Sequence, residues 1–140
     1  AGCASPSISD FAGQKPELDL RTYFNGTLDA YGVFLDRSGK VARRFTVVMR
    51  CTWEGDEGVL DEDFTYSDGT TEKRVWRLKH LGNFRWGYTL ALPVDGKVYE
   101  VQFDDWMYLM DDRVMLNKAV MSKFGIRLGE VMLSFVKRPA

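Results

Sequence analysis

The chain has 140 residues, long enough for one domain with a real hydrophobic core. Its 19 Lys and Arg against 20 Asp and Glu leave a net charge of -1, which disfavours polyanions such as nucleic acid as partners. A hydrophobic content of 45% and an aromatic content of 14% exclude a disordered chain, and no apolar run approaches the roughly 20 residues of a membrane-spanning helix.

Ala1-Gly2-Cys3 resembles the end of a bacterial lipobox, in which small residues precede a cysteine alkylated by diacylglycerol. Two or three acyl chains, at about 0.8 kcal/mol per buried CH₂, anchor a protein stably where one does not. A free thiol, or a disulfide from Cys3 to Cys51, is the alternative. Ala4 stands where inner-membrane lipoproteins carry Asp, so lipoprotein sorting directs the expectation to the outer membrane. Residues 1–16, rich in Ser, Pro and Gly, read as a flexible tether, and 17–140 as the folded domain. Within Leu18 to Gly26, Asp19 caps a short helical turn that Gly26 ends.

From Thr27 onward, turn signals recur about every 8–12 residues, and apolar residues favour alternate positions between them. The pattern predicts an all-β fold: a single antiparallel up-and-down barrel of about eight to ten strands, lipocalin-like, with the last strand closing onto the first. Loop length fixes which residues face each other across each hairpin. A Ser38-Gly39 turn pairs Gly32 with Phe45 and Ala30 with Val47. Centring the next turn on Asp56-Glu57 pairs Trp53 with Leu60, Cys51 with Glu62, and Met49 with Phe64. A three-residue Ser67-Asp68-Gly69 loop with a left-handed glycine sets Leu60 against Trp76 and Glu62 against Arg74, and turns Asp61, Asp63, Lys73 and Arg77 outward. At Gly82-Asn83, a two-residue turn pairs Leu78 with Gly87 and mixes faces, whereas a three-residue loop from Leu81 keeps them sorted.

Asp95-Gly96, a type I′ signal, pairs Leu90 with Val101, Tyr88 with Phe103 and Trp86 with Asp105. An Asp111-Asp112 turn places Asp105 opposite Lys118, Met107 opposite Leu116 and Phe103 opposite Val120. A Lys123-Phe124-Gly125 loop sets Lys118 against Glu130, Leu116 against Met132 and Val120 against Leu128. This register leaves a second apolar strip outside, containing Trp106, Tyr108, Met115, Val131, Leu133 and Phe135. The segment with Phe11, Leu18, Tyr23 and Phe24, a second copy or a membrane surface is expected to cover it.

Two charged groups then fall among inward apolar neighbours: Glu62 with Arg74, and Asp105 with Lys118 and Glu130. Buried charges persist only when paired, so each group is either a register-fixing ion pair, a site for a ligand's polar head, or a proton-transfer centre. His80 has no cysteine or carboxylate at metal-ligand spacing, and phosphate loops, nucleophile elbows and zinc signatures are absent from the sequence, so neither metal nor cofactor is expected. Cys51, on an apolar face, reads as a buried, inert thiol.

Several segments together resemble an uncharacterised family of Gram-negative lipoproteins known only as a domain of unknown function. They are Leu18-Asp-Leu-Arg-Thr-Tyr-Phe-Asn-Gly26, Asp36-Arg-Ser-Gly-Lys40, Leu60-Asp-Glu-Asp-Phe-Thr-Tyr-Ser-Asp-Gly69, Phe103-Asp-Asp-Trp-Met-Tyr-Leu-Met-Asp-Asp112 and Met121-Ser-Lys-Phe-Gly125. The resemblance implies lipidation at Cys3, a place on the periplasmic side of the cell envelope and, through genes near fatty-acid-modifying enzymes, a link to lipids. It also implies additional Gly-rich and acidic residues between Gly82 and Asn83.

The leading functional expectation is an envelope lipoprotein that holds a hydrophobic or amphiphilic, lipid-like molecule. Its lining would be Trp53, Glu62, Phe64, Arg74, Trp76, Trp86, Tyr88, Phe103, Asp105, Leu116 and Lys118. The alternatives are an envelope enzyme acting on lipids through Asp105, Lys118 and Glu130, and an assembly factor docking a partner through the strip at Trp106, Tyr108 and Phe135.

Overall fold

A computed structural model describes residues 18–81, 86–90 and 102–140; for 86–90, 102 and 103 the backbone alone is described. A single turn of helix, α1 (Leu20–Tyr23), precedes eight strands: β1 (Gly26–Leu35), β2 (Val41–Glu54), β3 (Glu57–Tyr66), β4 (Thr71–His80), β5 (Trp86–Leu90), β6 (Gln102–Leu109), β7 (Val114–Lys123) and β8 (Ile126–Lys137). They form one antiparallel sheet in the order β5-β4-β3-β2-β1-β8-β7-β6. The expected pairing of first and last strands is present along Leu28 to Leu35, with Gly32 opposite Leu133 and Ala30 opposite Phe135. The sheet curls far enough for Leu60 and Leu78 of β3 and β4 to share one core with Met115 and Phe135 of β7 and β8. The Asp95-Gly96 hairpin, which would join β5 to β6, and the Gly82-Asn83 junction lie outside the described residues, as do the tether, Cys3 and Phe11.

Turn chemistry decides where the expected register holds. Gly32 faces Phe45 and Ala30 faces Val47, as loop length required. Gly69 takes a φ of 86°, and its three-residue loop sets Leu60 against Trp76 and Glu62 against Arg74. The β2–β3 turn is centred on Gly55-Asp56 instead of Asp56-Glu57, so Cys51 faces Leu60, Met49 faces Glu62, and Trp53 faces Gly58. Gly55 at φ 59° occupies the first turn position, where a type II′ hairpin wants glycine. Because this slip is two residues, every side chain keeps its face. Across β4–β5, Trp76 faces Leu90 and Leu78 faces Tyr88, a register with the even parity of the three-residue alternative but displaced by two from it.

The β6–β7 hairpin differs in kind. The Asp111 carboxylate accepts hydrogen bonds from the amides of Arg113 (2.8 Å) and Val114 (2.7 Å), and the Met110 amide donates to the Val114 carbonyl. This local capping makes a three-residue loop of 111–113, and Lys118 faces Trp106 while Asp105 faces Ala119. A one-residue slip inverts faces. Met115, Asn117 and Ala119 therefore point inward and are buried, whereas Leu116, Lys118 and Val120 point outward. The β7–β8 turn is the two-residue Phe124-Gly125, both at positive φ, and a bulge beyond Met121 brings Val120 opposite Glu130 and Lys118 opposite Met132.

Strand direction gives the barrel two unlike ends. The closed end holds α1 and the β2–β3 and β6–β7 turns; the mouth holds the β1–β2, β3–β4 and β7–β8 turns. Asp19 caps α1 by accepting from the Arg21 amide at 3.1 Å, and Phe24 ends the helix, so Gly26 begins β1 instead of closing the turn. Tyr23 and Phe24 do not cover an outer strip: they plug the closed end from inside. The Phe24 ring meets Phe135 edge-on at 5.5 Å, Trp53 Nε1 donates to the Phe24 carbonyl, and the Tyr23 hydroxyl donates to the carbonyl of Arg113 or Phe135. With Leu28, Met49, Cys51 and Met115 they fill that half of the barrel.

Candidate functional site

Toward the mouth the interior changes character. Phe34, Phe45, Trp76, Met107, Val131 and Leu133 belong to the inward set by register, yet each is only half-buried. Phe45, Phe64 and Tyr66 line one wall as a run of rings, with centroids 5.6 and 6.1 Å apart in sequence. Between β2 and β8, Gly32 leaves room for its two ladder neighbours, Phe45 and Leu133, to lean over it. Apolar surface facing a barrel axis but still open to water is the composition of a small-molecule site.

Into this apolar wall β3 and β4 project charged groups. Glu62 is 8% exposed, sits between Leu60 and Phe64 along its strand face, and has Arg74 directly across the ladder. Burial drives its carboxyl up to about 8; the Arg74 guanidinium pulls it down and Asp61 pushes it further up. Among the described residues no group hydrogen-bonds Glu62. The expected Glu62–Arg74 pair is corrected here: Arg74 turns to Glu72, with two contacts of 3.2 Å, and its guanidinium stacks over Phe64. Tyr66 also donates to Glu72, and Arg43 lies 3.5 Å over the Tyr66 ring. Burial would raise Glu72, but the hydrogen bonds from Tyr66 and Arg74 prevail and hold it below its usual range. Glu72 is thereby a satisfied anion, whereas burial favours the neutral acid at Glu62, which can donate and accept one hydrogen bond each.

The second expected cluster is not assembled. Asp105 faces inward and accepts from the Asn117 amide at 3.2 Å, while Lys118 and Glu130 lie on the outer wall, 3.6 Å from each other. Neighbouring strands crowd Asp105 and raise its carboxyl, the Asn117 amide lowers it and Asp104 adds to the rise; its accessible surface is nevertheless that of an exposed residue, and that exposure governs its chemistry. The one-residue slip at the β6–β7 loop is the reason for the split, and it moves Leu116 outward as well. Trp53 belongs to the closed-end core, packed on Gly58. Glu62, Phe64, Arg74 and Trp76 do share one inner wall. The side chains of Trp86, Tyr88 and Phe103 lie outside the described residues. Cys51 is a free, buried thiol pushed up to about 12 by burial.

Outside, Phe135 is absent from the strip expected to dock a partner, since it points inward. A shallow depression of about 620 Å³ lies there instead, lined by Tyr31, Val33, Tyr108, Leu116 and Met132, with Arg44 and Lys118 at its edge. Sequence reasoning missed Tyr66, Glu72 and Arg43, although their spacing on β2, β3 and β4 placed them level with one another at the mouth.

The architecture is that of a lipocalin-like barrel. Similar solved structures include a de novo designed fluorescence-activating β-barrel (TM-score 0.57, 13% identity, covering 87% of this chain and 100% of that one). Apocrustacyanin C1 and lobster apocrustacyanin A1 are also similar, each with TM-score 0.55 and 13% identity over 99% of this chain and 73% of theirs. No curated protein matches. The chain belongs to the family described as Protein of unknown function (DUF3833), whose model matches residues 1–84 and 79–137. The two matched segments meet around Gly82-Asn83, where additional residues were expected in relatives.

Proposed function

We propose that this protein is an envelope lipoprotein that binds a hydrophobic or amphiphilic small molecule in the mouth half of its barrel. One observation carries the reading: a buried Glu62, without a hydrogen-bond partner among the described residues, set in a wall of half-exposed aromatic side chains. A ligand that hydrogen-bonds Glu62 gains a polar contact inside the barrel while its apolar body covers Phe45, Phe64 and Trp76. The preferred ligand therefore has an uncharged or anionic polar group, reached by Glu62 and Arg74, on a lipid-like body. The similar structure of EF1p2_mFAP2b (TM-score 0.52, 8% identity) is bound to DFHBI, which supports the capacity of the architecture for such cargo.

Ala1-Gly2-Cys3 and the Ser/Pro-rich stretch after it support a lipid anchor at Cys3, and Ala4 supports an outer-membrane address. Replacing Cys3 by Ser should move the protein from the membrane to the soluble fraction under a high-salt wash, which the acylated protein withstands. For the binding site, native mass spectrometry of the membrane-extracted protein should show a copurifying lipid-like mass, lost in Trp76→Ala. Absence of any bound species, together with no quenching of tryptophan fluorescence by a fatty-acid analogue, would remove the carrier reading.

A further inference from the structure

The β1–β2 and β7–β8 hairpins end side by side at the mouth, because β1 and β8 are paired up to Leu35 and Glu130. The second hairpin turns through Phe124 at φ 52°, with its side chain 89% exposed. Asn, Asp or Gly is the ordinary occupant of that turn position, since a left-handed backbone strains a bulky side chain. Phe124 accepts the strain and, apart from the Lys123 ammonium 5.5 Å from its ring, gains nothing from the fold. Ile126, Leu128 and, from the neighbouring hairpin, Val41 are also exposed apolar residues.

The charge around this tip is equally one-sided. Segments 36–44 and 123–130 carry Arg37, Lys40, Arg44, Lys123 and Arg127 against Asp36 and Glu130, with Arg43 turned away to Tyr66 and Asp68, in a chain whose net charge is -1. Both carboxylates are engaged: Asp36 accepts from the Ser38 and Lys40 amides, and Glu130 from Arg127. We infer that these two hairpin tips form a lip that docks the barrel mouth onto a bilayer surface carrying anionic headgroups, with Phe124 inserted at the interface. A second copy of the chain would bring one basic tip against another, whereas anionic lipid complements it. Aromatic rings prefer the headgroup level, and lysine and arginine beside them reach the phosphates. The lip would present the mouth to the membrane from which lipid-like cargo comes; in that purpose the inference rests on the carrier reading, but its residues are separate from the interior site.

The test uses the full chain with Cys3→Ser, so that no acyl anchor contributes, sedimented with vesicles of phosphatidylcholine alone or mixed with phosphatidylglycerol. Binding is expected to the mixed vesicles, weakened about tenfold by Phe124→Gly and again by Lys123→Glu with Arg127→Glu, and screened by high salt. Glycine suits the positive φ, so Phe124→Gly should fold at least as stably, which a thermal melt verifies. Uptake of the fatty-acid analogue should survive in this variant, separating failure of the lip from failure of the interior site. Equal partition of the parent chain onto both vesicle types, binding to neither, or unchanged binding by Phe124→Gly overturns the inference.

Discussion

Replacing Glu62 by Gln isolates the cost of ionising a carboxyl inside the barrel. The group titrates near 4.5 when solvated and at about 8 in the fold, where burial is the dominant cause. The native state therefore binds the proton more tightly than the unfolded chain does. Stability contributed by the neutral acid is complete below pH 4.5, is lost progressively as pH rises toward 8, and stays lost above it. Each tenfold difference in proton affinity is worth about 1.4 kcal/mol, so the whole window amounts to roughly 3–5 kcal/mol. For a domain of this size that is on the order of 10 °C in Tm. Gln keeps the shape and never ionises. Urea or thermal denaturation at intervals from pH 5 to pH 9 should give nearly equal stabilities at the acid end and a growing advantage for Glu62→Gln toward pH 8. A difference between the two proteins that stays constant with pH would refute the argument, because it would mean that Glu62 is solvated or ion-paired in the native state.

Other perturbations probe the packing. A Cβ at position 129 would lie 2.4 Å from the Leu35 carbonyl oxygen, a backbone atom, so Gly129→Ala should cost about 2–3 kcal/mol in urea denaturation. Gly32→Ala meets only the tips of Leu133 and Phe45, at 2.5 and 2.6 Å, which can swing toward the mouth; about 1 kcal/mol is expected. Trp53→Phe removes the bond from Nε1 to the Phe24 carbonyl and should cost about 1 kcal/mol in urea denaturation. In a Cys3→Ser background, Cys51 should react with a thiol reagent at pH 8 on the order of a hundredfold more slowly when folded than when unfolded, since its thiol is buried and pushed up to about 12.

The barrel was legible in the sequence because a loop's parity constrains faces even when its centre is misplaced. Misjudging the β2–β3 turn by two residues exchanged Leu60 and Glu62 as partners of Cys51 but left both pointing inward. The β6–β7 loop was not legible from turn composition alone: Asp111-Asp112 reads as a two-residue turn until the Asp111 carboxylate is seen to cap the Arg113 and Val114 amides and recruit a third residue. The plug at the closed end was read correctly as a capped turn of helix, but its destination depends on Phe135, whose face followed from that same loop.

The two charged groups differ in how firmly the sequence could place them, and hydrophobic contrast across each sheet explains why. On β3 and β4 one face offers Leu60, Phe64 and Trp76 while the other offers Asp61, Asp63, Lys73 and Arg77, with Lys73 reaching Asp61 at 2.7 Å. A one-residue slip there would bury four charges, so only one assignment is stable and Glu62 is fixed inside. On β7 and β8 both faces are apolar: Met115, Val131, Leu133 and Phe135 on one, Leu116, Val120 and Met132 on the other. Composition gives nearly equal support to either orientation, and a single aspartate in the preceding loop decides between them. The outer wall that results is unusually greasy, with Leu116 and Met132 each more than two-fifths exposed.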